Sequence, residues 1–247
     1  MQELLHSFWQ KKLSFDVKTG CILIGIFCFP RFLLVLHANQ TSSYQFIGLV
    51  MTIYAITPFL FLNKAGRKHI GLQLPQNYNW LMLALIIGVS FSLLLYVVGI
   101  LLYSDSYQNW YVYIGKSYNI QEGMPADQKL IMFFIMAITG MIFSPIGEEF
   151  LFRGLIHESF AASLGDQKAS MIDSLAFAIT HISHFGLVFI NNQWDFYLLP
   201  CLLWVAGMYV VSRLFFYYKM KIQSIWGAVL CHSGFNLGMT YCIFYLL

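Results

Sequence analysis

The chain has 247 residues, 59% of them hydrophobic and only 10% charged, with a formal net charge of +3 and a mean hydropathy of +0.67. Soluble domains carry about 25% charge, so this balance excludes an ordinary globular protein and turns length into a count of membrane spans. A charge of +3 is too small to suggest a nucleic-acid partner, and the positions of the basic residues matter more than their sum.

The opening stretch MQELLHSFWQKKLSFDVKTG lacks the basic–apolar–small order of a secretory signal. Leu4, Leu5, Phe8, Trp9 and Leu13 recur at a spacing that suits a short helix lying on the membrane surface, with a frayed tail as the alternative. Seven apolar stretches then approach the ~20 residues that a membrane helix needs. They fall near residues 20–37, 44–62, 80–103, 130–147, 170–190, 197–217 and 224–246. Pro30 and Arg31 interrupt the first, and the fourth runs straight into the polar segment GEEFLFRGLIHES.

Basic residues alternate between the segments joining these stretches. Lys11, Lys12, Lys18, Lys64, Arg67, Lys68, Lys168, Lys219 and Lys221 fall on one side, with only Lys116 and Lys129 on the other. The positive-inside rule therefore predicts a cytoplasmic N-terminus and an external C-terminus. The Tyr- and Trp-rich stretch 103–118 is then expected outside, with its rings at headgroup depth. Cys21, Cys28, Cys201, Cys231 and Cys242 lie in apolar runs without a Cys-x-x-Cys pair and read as small hydrophobes.

Ionisable groups inside spans are costly and mark function by default. Here Glu148, Glu149 and Arg153 follow the fourth stretch, His181 and His184 lie in the fifth, and His232 and Asn236 lie in the seventh. Glu149 and Arg153 are four apart on one helix face and can pair. His232 and Asn236 share that interval, as do Phe177 and His181. Adjacent Glu148 and Glu149 point about 100° apart, which suggests that one faces a site while the other pairs with Arg153. At 1.5 Å rise per residue, His181, His232 and Glu148 all lie roughly 15–20 Å in from the basic side. Polar groups from three helices at one depth predict a water-holding site on the cytoplasmic side or near the midplane. A carboxylate in low dielectric suits a general base, a histidine can orient its water, and a second histidine with an amide can stabilise an oxyanion. Together these parts would hydrolyse an amide.

Glu148-Glu149-Phe-Leu-Phe-Arg153, Phe177-Ala-Ile-Thr-His181 and His232-Ser-Gly-Phe-Asn236 reproduce three motifs in order: E-E-x-x-x-R, F-x-x-x-H and H-x-x-x-N/D. With the run from Trp204 to Trp226, they resemble the CPBP family of CAAX proteases and bacteriocin-processing proteins, also called Abi, over about residues 130–240. The resemblance implies an intramembrane glutamic endopeptidase in which Glu148 activates water with His181. It implies that His232 and Asn236 form the oxyanion hole, with Glu149, Arg153 and Phe177 shaping the site. It implies no metal, although a Glu with two His is a zinc-capable set and His184 would be a further ligand.

The expected fold is therefore an all-α polytopic transmembrane helix bundle of about seven spans. Residues 1–129 would hold the amphipathic segment and three spans, and residues 130–247 a catalytic core of four. The expected setting is a multi-pass protein of a bacterial cytoplasmic membrane, in contact with lipid and with a lipidated, pheromone or bacteriocin-type peptide substrate. The alternative is a bacteriocin self-immunity protein that acts by binding. Arg31 is assigned a structural role, facing the bundle or snorkelling past a kink at Pro30. His184 is assigned to interhelical packing or pore lining. His157 and Glu158 are expected in solvent near a helix end, and His6, His37 and His69 at interfaces or in loops.

Overall fold

The computed structural model describes residues 2–120 and 123–247. A short helix Ser7–Gln10 (α1) is followed by Val17–Leu23 (α2), which passes through a π-helical turn at Ile24–Cys28 into Phe29–Thr41 (α3). Gln45–Phe61 (α4), Lys64–His69 (α5), Asn79–Tyr103 (α6) and Trp110–Ser117 (α7) complete the first half. Ala126–Glu149 (α8) continues through a second π-helical turn, Phe150–Ile156, into His157–Leu164 (α9). Asp166–Thr180 (α10), a hairpin of Leu187–Ile190 (β1) and Gln193–Phe196 (β2), Leu198–Ile222 (α11) and Ile225–Tyr245 (α12) follow.

The molecule is essentially all-α, as composition predicts. Among the described residues four helical rods are long and apolar enough to cross a membrane, Val17–Thr41, Asn79–Tyr103, Ala126–Leu164 and Leu198–Ile222, while α4 is apolar but shorter. The expected span 170–190 is not one helix. α10 ends at Thr180, Gly186 adopts φ 126°, and residues 187–196 form the antiparallel hairpin. Asn191 and Asn192, both at positive φ (50° and 61°), make its two-residue turn, a geometry that asparagine tolerates. Their side-by-side occurrence between LVFI and QWDF was the sequence signal for a hairpin.

The N-terminal segment is docked on the end of α4, with Leu5 buried and Phe8 exposed. Leu5 is 2% exposed and pairs with Leu62. The last carbonyls of a helix have no partner within it. Here the His6 backbone N–H donates to Phe61 O (3.0 Å) and Trp9 Nε1 to Leu60 O (2.8 Å), capping α4. The start of α2 is capped by Asp16, whose carboxyl is held below its usual range by the Ser14 hydroxyl and the Thr19 backbone N–H. The aromatic stretch 103–118 also differs from expectation. Trp110, Tyr111 and Tyr113 are buried, and Trp110 stacks on Trp204 at 6.2 Å. A segment that packs its rings against α11 gains more from burial than from the headgroup layer. All five cysteines are free; four are buried and Cys21 is exposed.

α12 packs along α6, α8 and α11, and so lies inside the bundle. Small residues bring α6 and α12 close together. A Cβ on Gly234 would run into the carbonyl oxygen of Leu85, and one on Gly88 into that of Cys231. Gly147 of α8 similarly faces the backbone of Met51 in α4. At Gly140, by contrast, a Cβ would meet nothing within 4 Å. Gly234→Val should therefore force α6 and α12 apart and cost about 1–3 kcal/mol or more, as overpacking does. Thermal unfolding in detergent should show a clear drop for this variant and little change for Gly25→Ala, where a Cβ meets open space.

Candidate active site

The two adjacent glutamates at the end of α8 face different ways. Glu148 lines a cavity of about 740 Å³ together with Arg31, Phe177, His181, His184, His232 and Asn236, so the residues singled out from three helices meet in one place. Glu149 and Arg153 lie behind that wall, both fully buried. The second π-turn starts at Phe150, immediately after the pair; π-turns interrupt the α-helical register and recur at functional sites.

Glu148 is 1% exposed, and its two oxygens have unequal surroundings. Oε1 accepts from Arg31 Nη2 (2.7 Å) and from Ser144 Oγ (2.9 Å). Oε2 has no hydrogen-bond partner among the described residues and stands 3.9 Å from His181 Nε2. The backbone oxygen of Phe177 can only accept, so the 2.7 Å contact to His181 Nδ1 fixes the Nδ1–H form. Its Nε2 then presents a lone pair towards Glu148. The Phe177 ring lies against the His181 imidazole with centroids 4.2 Å apart, and Trp204 Nε1 donates to His181 O (3.1 Å).

On the other wall, His232 Nδ1 donates to Glu149 Oε1 (2.8 Å), and its ring stacks on Phe215 at 4.5 Å. Glu149 Oε2 is 3.1 Å from Arg153 Nε. Arg153 is anchored in turn, because Nη2 donates to Ser212 O (3.1 Å) and meets the Ser212 hydroxyl. The order is therefore Arg153, Glu149, His232, with the imidazole at the cavity end. Asn236 Nδ2 donates to Gly140 O (2.8 Å), which uses one of its two N–H groups.

Sequence reading named His184 as a possible pore-lining residue, and it does line the cavity, but it gave Arg31 only a structural role and placed His157 and Glu158, which lie outside the cavity, in solvent. Arg31 is 2% exposed and is bonded to Glu148 rather than acting as scaffold. His184 accepts from Arg31 Nη2 at 3.4 Å. His157 and Glu158, expected in solvent, are buried (1% and 6%). His157 Nδ1 donates to Asp173 Oδ2 (2.7 Å), and Glu158 accepts from His69 (3.0 Å). No group of three or more His, Cys, Asp and Glu side chains among the described residues is arranged to hold a metal ion.

The cavity extends from Glu148 between α4 and α8, past Gly48, Leu49, Thr139 and Phe143, to Ser42 and Tyr44 at the α3–α4 junction. Leu49 and Phe143 are more than half exposed on the outer surface, so the opening is sideways, where an apolar face meets lipid.

Arg153→Met should leave Glu149 as a buried charge without its cation, costing about 3–5 kcal/mol. Combining it with Glu149→Gln should recover much of that loss, and equilibrium unfolding of the two variants measures the difference.

Residues 130–238 match the model of a family described as Type II CAAX prenyl endopeptidase Rce1-like. No curated protein and no solved structure matches the chain. The matched segment contains all three motifs, with Glu148, Phe177, His181, His184, His232 and Asn236, but not Arg31 or the α3–α4 part of the cavity. The match covers less than half of the chain, and it agrees with the three motifs and the helical fold in supporting a likeness to the CPBP family of CAAX proteases over residues 130–238.

Proposed function

We propose that this protein is an intramembrane endopeptidase in which Glu148 activates water for attack on a peptide carbonyl. The observation that carries the reading is the split environment of the Glu148 carboxylate. One oxygen is held by Arg31 and Ser144, and the other faces the lone pair of His181 Nε2 across 3.9 Å. One water, bonded at about 2.8 Å to each atom, spans that distance.

In the proposed reaction that water gives a proton to Glu148 Oε2 as its oxygen adds to the carbonyl carbon. Its second hydrogen is oriented by His181 Nε2. The carbonyl oxygen gains the negative charge and accepts from the free N–H of Asn236, beside the His232 imidazole that Glu149 holds in place. The C–N bond then breaks, the proton on Glu148 passes to the departing amine, and the second hydrogen stays on the new carboxyl group, so that a carboxylic acid and an amine leave and ionise in water. No Ser or Cys takes part as a nucleophile. Cys231 is buried, and its helix neighbour His232 is turned to Glu149.

The substrate class follows from the route to the site. A sideways opening between α4 and α8, lined largely by apolar side chains, suits a peptide carrying a lipid or an apolar segment that arrives within the bilayer. The family's description as a prenyl endopeptidase supports the lipidated form. A peptide bearing a prenylated cysteine followed by three residues is the first probe to use.

With purified protein in lipid vesicles and a quenched fluorogenic form of that peptide, Glu148→Gln and His181→Ala should lower turnover about 10²–10⁴-fold. His181→Ala should melt near the wild type, whereas Glu148→Gln leaves Arg31 without its anion and should melt lower, so turnover is compared on folded protein. Asn236→Ala should lower kcat about 10²–10³-fold with a smaller effect on KM, as loss of an oxyanion donor does. Comparison of peptides released by cells carrying wild type and Glu148→Gln extends the test beyond one probe. A folded Glu148→Gln protein that cleaved at the wild-type rate would overturn the proposal.

A further inference from the structure

The carboxylate proposed as the base is held by a residue outside the segment that matches the family. Arg31 lies on α3, next to Pro30 and just after the π-turn Ile24–Cys28. Proline removes a backbone donor and crowds the preceding turn, and a π-turn widens the helix there. The chain thus accepts an irregular stretch of helix immediately before a cation that is 2% exposed.

The contacts of that cation are unlike those of an arginine that merely ties helices together. Arg153 pairs with Glu149 and bonds the backbone oxygen and hydroxyl of Ser212, all behind the cavity wall and none of them lining it. Arg31 bonds two side chains of the cavity, Glu148 Oε1 (2.7 Å) and His184 Nε2 (3.4 Å). Its Nε and Nη1 have no partner among the described residues. Burying a guanidinium with half its donors unused is costly, and the ion pair to Glu148 is its main compensation.

We infer that Arg31 is a positioning residue for the Glu148 carboxylate, one that fixes which oxygen meets water. Rotation of a free carboxylate exchanges its two oxygens. With Oε1 held by Arg31 and Ser144, Oε2 stays turned to His181. Loss of that hold allows Glu148 to rotate away, and a misplacement of about 1 Å costs roughly a hundredfold in rate. The inference rests on Glu148 being the base. It makes the first half of the chain part of the active site rather than only a membrane anchor.

The test uses the full-length protein in detergent and a peptide whose release from membranes depends on Glu148, found by comparing wild type with Glu148→Gln. Arg31→Met should lower kcat about a hundredfold while KM stays within about twofold of wild type. Arg31→Lys, which keeps one charge and a donor, should regain part of the rate. In Arg31→Ala, methylguanidinium should restore kcat with saturation, and urea at the same concentration should not. A folded Arg31→Met with wild-type kcat, a loss confined to KM, or an Arg31→Ala that folds but is not rescued would each overturn the inference. If the Met and Ala variants fail to fold, Arg31→Lys decides, since wild-type kcat there removes the positioning role and a reduced kcat at unchanged KM supports it. Wild-type peptide release by Glu148→Gln would instead defeat the base assignment itself, which keeps the two failures apart.

Discussion

Two buried carboxylates on consecutive residues set the terms for the whole bundle. Glu148 and Glu149 each leave water almost completely, and each meets an arginine: Arg31 at 2.7 Å and Arg153 at 3.1 Å. An isolated charge in such surroundings would cost several kcal/mol, so each helix that supplies a counter-charge is constrained in rotation and depth. α3 must turn Arg31 inward, the π-turn after α8 must return Arg153 to Glu149, and α12 must place His232 against the remaining oxygen. The ionic pairs therefore specify the arrangement of the helices more than they add to its stability.

Close helix packing makes that arrangement possible. His232 reaches Glu149 only because α12 runs through the interior, with Gly234 against Leu85 of α6 and Ser233 donating to Met141 O of α8 (2.6 Å). Larger residues along α12 would widen the gap between helices. The cavity opens beside Gly140 of α8 and Gly48 of α4, where a Cβ would meet nothing, beyond the tight contact of Gly147 with the backbone of Met51. Tight packing on one wall and open space on the other produce a site that is rigid at its polar end and open to lipid at its apolar end.

Much of the site could be read from the sequence because helical spacing is local. Glu149 and Arg153, four residues apart, do pair; and Glu148, His181, His232 and Asn236 line one cavity. What periodicity cannot reveal is which helix faces which. Arg31 and Glu148 are 117 positions apart, and Glu149 and His232 83 apart, so both contacts depend on packing. Arg31 was given a structural role for that reason. His157 and Glu158 followed the same pattern, since their partners Asp173 and His69 come from other elements. The stretch 170–190 misled because an apolar run of that length suits a buried strand as well as a helix. The break at Gly186 and the asparagine pair at 191–192 decide in favour of a turn and a hairpin.

The central claim is that Glu148 takes a proton from water and forms no bond to the substrate. A single turnover in oxygen-18 water, followed by mass analysis of the product and of the chain's own peptide around Glu148, separates the two chemistries. General-base catalysis puts one labelled oxygen in the new product carboxylate and none in Glu148. Label in the Glu148 side chain, with an unlabelled product, would mean that the carboxylate attacks directly through an anhydride and would contradict the account.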